Sequence, residues 1–300
     1  MTTISARVIK DSIGETAPRL TTLLLRYPRC IHSELMTHRT FSRNASSSRA
    51  IPVERLIQDI LDDPFVPLHW GKNQKGMQAH EECNEEVFFD VPELKGACGY
   101  SRETAWLGHM KVAVETARAF SNSGYHKQIV NRLLEPWSHI NVLVTATQWS
   151  NFLTLRDHKD AEPHIQILAR EVRKALNGSA PEHLAPNSWH LPFIEDDDII
   201  AVMNQHGKLV ADGEDLNWPL ARISAARCAR TSYLTHDGKI PSIEEDMALF
   251  HRLMGGNPIH ASPVEHQAWL TSGFCVNQKL HGNFAPGWAQ FRKTFEGECQ

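Results

Sequence analysis

The run Met36-Thr37-His38-Arg39-Thr40-Phe41-Ser42-Arg43-Asn44-Ala45-Ser46-Ser47-Ser48-Arg49-Ala50 gathers three arginines, a histidine, four serines and an asparagine directly after an apolar segment. Guanidinium forks, hydroxyls and a side-chain amide are the groups that hold phosphate oxygens. A solvated Ser/Arg loop has the same composition, so the run alone does not decide between the two readings. Two further stretches, 148–156 and 260–266, are polar where their surroundings are apolar, and Arg132 lies between the first two. Together they offer many donors but no nucleophile–base pair. No G-x-S-x-G, G-x-G-x-x-G or P-loop is present. His260, Glu265 and His266 do not form the H-E-x-x-H zinc helix, because Pro258 and Pro263 forbid that helix. His69, His80 and Cys83 match no common ligand spacing and read as part of a folded loop. Neither an enzyme nucleophile nor a metal is expected. A donor-rich site without a nucleophile points to chemistry carried by a cofactor, with the protein supplying binding and orientation.

The elements that must position these residues follow from periodicity and punctuation. Residues 20–25 read as a strand, and 28–36 as a strand or short helix that delivers the polar run. Residues 51–57 start an amphipathic helix with Pro52 in its first turn. Between about 62 and 99, Pro64, Pro67, Gly71, Gly76, Pro92 and Gly96 break any pattern, so an irregular insertion is expected. A long helix starts at Ser101 and runs to about Asn122, with Ala105, Met110, Val114, Ala117 and Phe120 as its apolar stripe. A short helix over 127–134 is closed by Pro136. Residues 140–153 are apolar on most sides and read as a central buried helix; the polar end formed by Gln148, Asn151 and Arg156 would wall a polar pocket. Asp160 is the expected N-cap of a helix over 161–176.

A second irregular zone spans about 179–218. Within it Glu195-Asp196-Asp197-Asp198 reads as a solvated acidic turn, and 199–202 with 209–211 as a hairpin. Residues 221–230 form a helix carrying Arg222, Arg227 and Arg230. Ser242 and Glu245 make a capping box that opens a helix closed by Gly255-Gly256. A rigid polar turn over 257–266 then leads into a strand at 267–276.

Composition sets the outer limits. The 300 residues are 41% hydrophobic and 22% charged, with a net charge of −4. That suits a soluble globular chain and argues against sequence-independent binding to nucleic acid polymers. No apolar run reaches membrane-spanning length, and the six cysteines form no C-x-x-C pair, so a reducing cytoplasm and no membrane partner are expected.

The polar blocks resemble those of a known family. His38-Arg39-x-x-Ser42-x-Asn44-x-x-Ser47-x-Arg49 is similar to the R-H-R-x-x-S-x-N-E-x-S-x-R-Y signature of flavin-dependent thymidylate synthases. Asn151-Phe152-Leu153-Thr154-Leu155-Arg156 resembles its N-F-L-x-L-R segment, and Arg132-Leu133-Leu134-Glu135-Pro136 its R-x-x-L-P turn. Ala225-Ala226-Arg227, Ser232-Tyr233, the acidic helix from Glu244 and His260-x-Ser262-Pro263-x-Glu265-His266 resemble the family's first third. The matched blocks span roughly half the chain, but their order differs: the family's first blocks come last here, at 221–293, after the signature block at 36–50. A circular permutation accounts for that order, since permutation is tolerated where termini lie close together. Both 27–39 and 283–293 resemble the strand that leads into the signature.

The resemblance implies one catalytic domain over 1–300 with an α+β fold: a small antiparallel sheet with a helical layer, circularly permuted, with insertions at about 62–99 and 179–218. It implies that His38, Arg39, Asn151, Arg156, His260, Ser262 and Glu265 contact FAD, and that Arg132, Ser47 and Arg49 contact dUMP. The implied reaction is reductive methylation of dUMP to dTMP, with methylenetetrahydrofolate and NADPH as co-substrates, at sites shared between subunits of a homotetramer. Thr37 stands where the family has an arginine, Ala45 replaces a glutamate, Ala50 a tyrosine, and a pyrimidine-side arginine falls near Gln166. Arg43, Arg292 and Lys293 are candidate replacements. The departures keep open a related C5 modification of dUMP or dCMP, such as hydroxymethylation. A non-catalytic nucleotide-binding protein is the reading from another class.

Overall fold

The computed structural model describes residues 3–76, 78–91, 96–205, 209–211, 214–232, 241–272, 279–296 and 298. Its centre is a five-stranded sheet in the order β3-β6-β2-β1-β7, built from β1 (Ser5–Gly14), β2 (Leu20–Pro28), β3 (Ser42–Ala45), β6 (His139–Ala146) and β7 (Glu182–Leu184). Every pairing in it is antiparallel except the parallel contact of β1 with the short β7. The expected α+β character holds, in a mixed rather than purely antiparallel sheet.

Strands β2 and β6 pair over their whole lengths, from Thr21 opposite Ala146 to Pro28 opposite His139. Both are covered on two faces. One face carries Leu23, Leu25, Tyr27, Ile140, Val142, Val144 and Ala146 against α1 (His32–Met36), α5 (Ser150–Arg156) and α6 (Pro163–Asn177). The other face lies under a three-stranded sheet, β8 (Trp189–His190), β9 (Ala268–Leu270) and β10 (Trp288–Gln290), in the order β10-β9-β8. Between the two sheets runs a buried chain of hydrogen bonds. His190 reaches Ser12 Oγ at 2.9 Å and Thr22 Oγ1 at 2.8 Å, Thr22 meets Thr145 at 2.7 Å, and Thr145 meets His266 Nδ1 at 2.8 Å.

Burial on both faces explains the main departure from expectation. A strand covered on two sides loses polar alternation and reads as a continuous apolar run. The central helix expected over 140–153 is therefore a strand, β6, followed after a break by the short helix α5.

The outer elements form two satellites. Helix α2 (Val53–Asp62), α3 (Arg102–Asn122) and α4 (Lys127–Val130) pack around Leu56, Ile60, Met110, Val114, Leu134 and Trp137. Ser101 caps α3, accepting from the Thr104 backbone N–H. The expected stripe holds at Met110, Val114 and Ala117, whereas Phe120 is exposed. The 62–99 segment is not wholly irregular: β4 (Val87–Val91) and β5 (Gly96–Tyr100) form a hairpin, and a bridge joins Gly71 to Glu82. Glu162, not Asp160, caps α6, accepting from the His164 and Ile165 N–H groups.

The C-terminal satellite packs α7 (Asp196–Asn204), α8 (Asn217–Ala229) and α9 (Ile243–Met254) around Val202, Ile223, Phe250 and Phe291. Residues 199–202 are thus helical rather than one arm of a hairpin; three of the residues between them and 209–211 lie outside the described residues. The acidic patch is the capped N-terminus of α7, with Glu195 and Asp198 completing a capping box. Glu195, Asp196 and Asp197 are exposed, as expected of a solvated patch, but the segment is helical rather than a turn, and Asp198 receives both Nη atoms of Arg227, at 2.6 and 2.7 Å. Arg227 Nε donates to the fully buried Asp246 at 2.9 Å. Asp198 titrates below its usual range; burial pushes it up, and the Arg227 fork outweighs that. The Ser242–Glu245 capping box of α9 is as expected. Tyr233 and residues 273–276 lie outside the described residues; of the strand expected over 267–276, β9 (Ala268–Leu270) is present. Among the described residues no helix is long and apolar enough to cross a membrane.

Candidate functional site

The polar run opens at the foot of the sheet. Pro28 ends β2 in an extended conformation, and a 3-10 turn at Arg29–Ile31 passes directly into α1. Thr37 closes that helix, its Oγ1 donating to Glu34 O at 2.7 Å. Ser42 to Ala45 then add to the edge of the sheet as β3, opposite Thr145 to Val142. So the run is not a loop throughout. Four of its residues are held by a ladder, which gives the flanking side chains a fixed frame.

Beyond β3 the chain is clamped from the α4 side. Ser46 N donates to Asn141 O at 2.8 Å, and Ser46 Oγ accepts from Asn141 N at 3.1 Å. The buried Asn131 donates through Nδ2 to Ser48 O at 2.6 Å and Ile51 O at 2.9 Å. Lys127 Nζ donates to Ala50 O at 2.8 Å, and Ser48 Oγ to Glu135 Oε1 at 2.8 Å. These bonds shape an open cavity of about 460 Å³ lined by Arg29, His32, Ala45 to Arg49, Arg132, Glu135 and Ile140. Arg132, Ser47 and Arg49, expected to act together, do meet here. The Arg49 and Arg132 side chains are exposed, and neither guanidinium has a hydrogen bond or ion pair among the described residues.

The other expected residues occupy two places flanking β3. At the first, Arg156 Nε donates to His38 Nε2 at 3.1 Å, Nη1 to Glu34 Oε2 at 2.7 Å, and Nη2 to Thr37 Oγ1 at 3.2 Å. His38 is buried, edge-on to Phe152 and stacked on Phe41. Burial, then the charges of Arg156 and Arg43, hold it below its ordinary range, so it is neutral near pH 7. Arg39 and Asn151 are exposed beside this knot, and their side chains have no hydrogen bond or ion pair among the described residues.

At the second place Asn44 Nδ2 donates to Cys228 O at 2.7 Å, and Ser262 Oγ donates to Asn44 Oδ1 at 3.2 Å. The exposed His260 approaches Ser262 Oγ at 3.5 Å. Glu265 is ion-paired with Arg292; burial raises its carboxyl above the usual range despite that cation. The three candidate replacement cations are all engaged. Arg292 and Lys293 pair with Glu298, and Arg43 donates to Met36 O at 2.8 Å. Gln166 Nε2 donates to His158 O at 2.6 Å.

Sequence reasoning missed four residues of this region. Arg29 and His32 line the cavity from what was read only as a connector. Their three-residue spacing on a helical turn was the available signal. Glu34 and Glu135 were missed because each is defined by a partner distant in the chain, Arg156 and Ser48.

An edge strand of an α+β sheet thus presents an arginine- and serine-lined cavity, a class of site suited to an anionic ligand such as a nucleotide. A family model described as thymidylate synthase complementing protein matches residues 14–182, more than half of the chain and including this cavity. The chain belongs to that family. No curated protein matches it. Among solved structures, a UMP/dUMP methylase PolB from Streptomyces cacaoi bound with 5-Br dUMP is 16% identical. It aligns with a TM-score of 0.43 over 59% of this chain and 90% of that one. The flavin-dependent thymidylate synthase ThyX from Helicobacter pylori, complexed with FAD and dUMP, is 21% identical. Its TM-score is 0.32, over 52% of this chain and 67% of that one.

Proposed function

We propose that this protein is a flavin-dependent enzyme that modifies the pyrimidine ring of dUMP, by reductive methylation to dTMP. The observation that carries the reading is the convergence of Arg49, Arg132 and Ser47 on one cavity within the segment that matches the family. Guanidinium groups with no partner among the described residues suit a phosphate, and the clamped 46–51 segment fixes its position. Family membership supports the rest, and the ThyX relative is described as complexed with FAD and dUMP.

The donor set fits FAD: Arg39 and Asn151 present an unengaged guanidinium and amide beside the buried, neutral His38. Arg156, His260, Ser262 and Glu265 complete the proposed contacts. When bound, the flavin supplies the hydride, with NADPH as its reductant and methylenetetrahydrofolate as the one-carbon donor. The chain's own residues bind and orient. Arg49, Arg132 and Ser47 hold the phosphate, while the Asn44–Ser262 bond keeps the 260–266 turn against β3. Gln290 Nε2 donates to Ser42 Oγ at 3.1 Å, so the 221–293 blocks grip the signature strand from the side. That contact supports the reading of a permuted single catalytic domain; action in the cytoplasm as a homotetramer with shared sites is proposed from the family resemblance alone.

One observation favours a second reading. Ala45, where the family has a glutamate, lies in the cavity wall. The pyrimidine side is therefore less polar than the family pattern, which suits a different C5 product such as hydroxymethyl. A visible spectrum after incubation with FAD, then mass analysis of the product from dUMP, methylenetetrahydrofolate and NADPH, tests both. Methylated nucleotide is expected. A hydroxymethyl product selects the second reading, and no flavin absorbance defeats both in favour of a non-catalytic binding protein.

A further inference from the structure

Arg29 and His32 reach the cavity from the turn that ends β2, and each carries a donor that the fold leaves unengaged. Arg29 is fixed at its base: its backbone N–H donates to Ser138 O at 3.0 Å and its Nε to Ser138 Oγ at 3.3 Å. Its Nη2 is nonetheless buried without a hydrogen-bond partner among the described residues. Buried donors are nearly always paired, because an unpaired one forfeits its hydration without return. An orphan guanidinium N–H on the wall of a cavity points to an acceptor that arrives from outside the fold.

His32 Nδ1 lies 2.9 Å from the Tyr27 hydroxyl. Tyr27 is fully buried and its hydroxyl has no other hydrogen-bond partner among the described residues, so its proton is satisfied only by donating to His32 Nδ1. Burial, then the charges of Arg29 and Arg43, hold His32 below its ordinary range, so its ring is neutral near pH 7. A neutral imidazole that accepts at Nδ1 carries its proton on Nε2. Nε2 has no partner among the described residues, and the half-buried ring lines the cavity. The charges there match one ligand group. Three arginines (Arg29, Arg49, Arg132) against one glutamate (Glu135) leave two positive charges, the complement of a phosphate dianion.

We propose that Arg29 Nη2 and His32 Nε2–H donate to the phosphate of the bound nucleotide alongside Arg49 and Arg132, with Tyr27 as the positioning residue that selects the His32 tautomer. This rests on the nucleotide reading above. The neutral imidazole adds a directed hydrogen bond without adding a charge, which keeps the cavity from becoming over-positive when empty of ligand.

Calorimetric titration of the FAD-loaded protein with dUMP, and competition by deoxyuridine as the phosphate-free probe, test it. Arg29→Met is expected to weaken dUMP about tenfold or more, and Arg29→Lys to recover only part. His32→Leu should cost about fivefold, and His32→Gln, whose amide N–H falls near Nε2, should restore most of that. Deoxyuridine binding should be unchanged in all four. Imidazole nitrogen shifts of histidine-labelled protein should show the Nε2–H tautomer at His32, moving when dUMP is added, and a tautomer mixture in Tyr27→Phe. If wild-type protein binds no dUMP, the functional reading itself falls. If wild type binds dUMP and the Arg29→Met and His32→Leu variants bind it equally well, this inference alone falls. Equal weakening of deoxyuridine and dUMP overturns the assignment to phosphate. Should Arg29→Met not fold, the His32 pair and the Tyr27→Phe spectrum still decide.

Discussion

The cavity at 29–49 and 132–135 and the knots that flank β3 use the same residue types in opposite ways. In the cavity, Arg49 and Arg132 have no side-chain partner among the described residues, and Arg29 keeps a buried N–H unpaired among them. In the knots the cations are engaged, Arg156 with Glu34, Thr37 and His38, and Arg292 with Glu265 and Glu298; so is Arg227 in the C-terminal satellite, with Asp198 and Asp246. An arginine paired inside the fold lends stability and rigidity, whereas one left unpaired at a cavity is reserved for a ligand. Substitutions should therefore separate into two kinds, one moving stability and the other binding.

The largest effect is expected where the partner is most buried. Arg227→Met leaves the fully buried Asp246 with only its ion pair to Arg230 and removes the guanidinium fork from Asp198, so it should cost about 3 kcal/mol of unfolding free energy. Urea unfolding measures this; a loss under about 1 kcal/mol would mean that the ion cluster does not hold the C-terminal satellite together. Arg49→Ala belongs to the other kind. It should weaken dUMP by roughly ten- to a hundredfold, the worth of a charge-assisted hydrogen bond, while FAD stays bound and the unfolding midpoint hardly moves. Unchanged dUMP affinity in that variant breaks the comparison at its most important point.

The sequence revealed these two kinds of arginine unequally. Arg49, Arg132 and Ser47 could be singled out only through the resemblance of their separate blocks to the family's, because the polar run by itself is equally a solvated loop. Helix α3 and the capping boxes were legible because their signals are local. What could not be read depends on distant partners. Strand β6 passed for a helix because the three-stranded sheet, drawn from residues more than forty positions further along, covers its second face. The Arg156–Glu34 pair could not be read because Glu34, 122 residues earlier, gives no local sign of it. The pairing of Asp198 was hidden for the same reason, its counter-charge being Arg227, 29 residues on.

Burial of the inter-sheet histidines gives a smaller, pH-graded effect. His266 is fully buried, and burial pushes its pKa down to about 3. The unfolded chain binds this proton near the ordinary histidine value, the folded chain only near pH 3. Between those values unfolding takes up a proton, so stability is full above pH 6.5 and falls as the pH drops. The slope should be about 1.4 kcal/mol per pH unit for this residue, and His190, also depressed by burial, adds to it. Urea unfolding from pH 7.5 to 4.5 should show the decline, and His266→Gln should flatten it. An unchanged slope in the variant would place the acid sensitivity elsewhere.

The smallest effect is the one that asks whether a knot can also serve as a site. Arg156 is an expected flavin contact whose donors are already taken, chiefly by a Glu34 side chain that remains about one-third exposed. If Arg156 must leave Glu34 to reach the cofactor, that ion pair competes with flavin binding. Exposed or half-exposed pairs are worth at most about 1 kcal/mol, so Glu34→Gln should tighten FAD by about two- to fivefold. The Gln amide keeps a weak acceptor for Nη1, and His38 and Thr37 still hold the rest of the guanidinium, so the helix should not unravel. Flavin titration by absorbance or fluorescence quenching reads the change. Tighter binding would mean that Arg156 moves between a structural and a ligand-holding role. Weaker binding would mean that the Glu34–Arg156 pair shapes the flavin site as it stands and that Arg156 acts through His38 rather than by touching the cofactor.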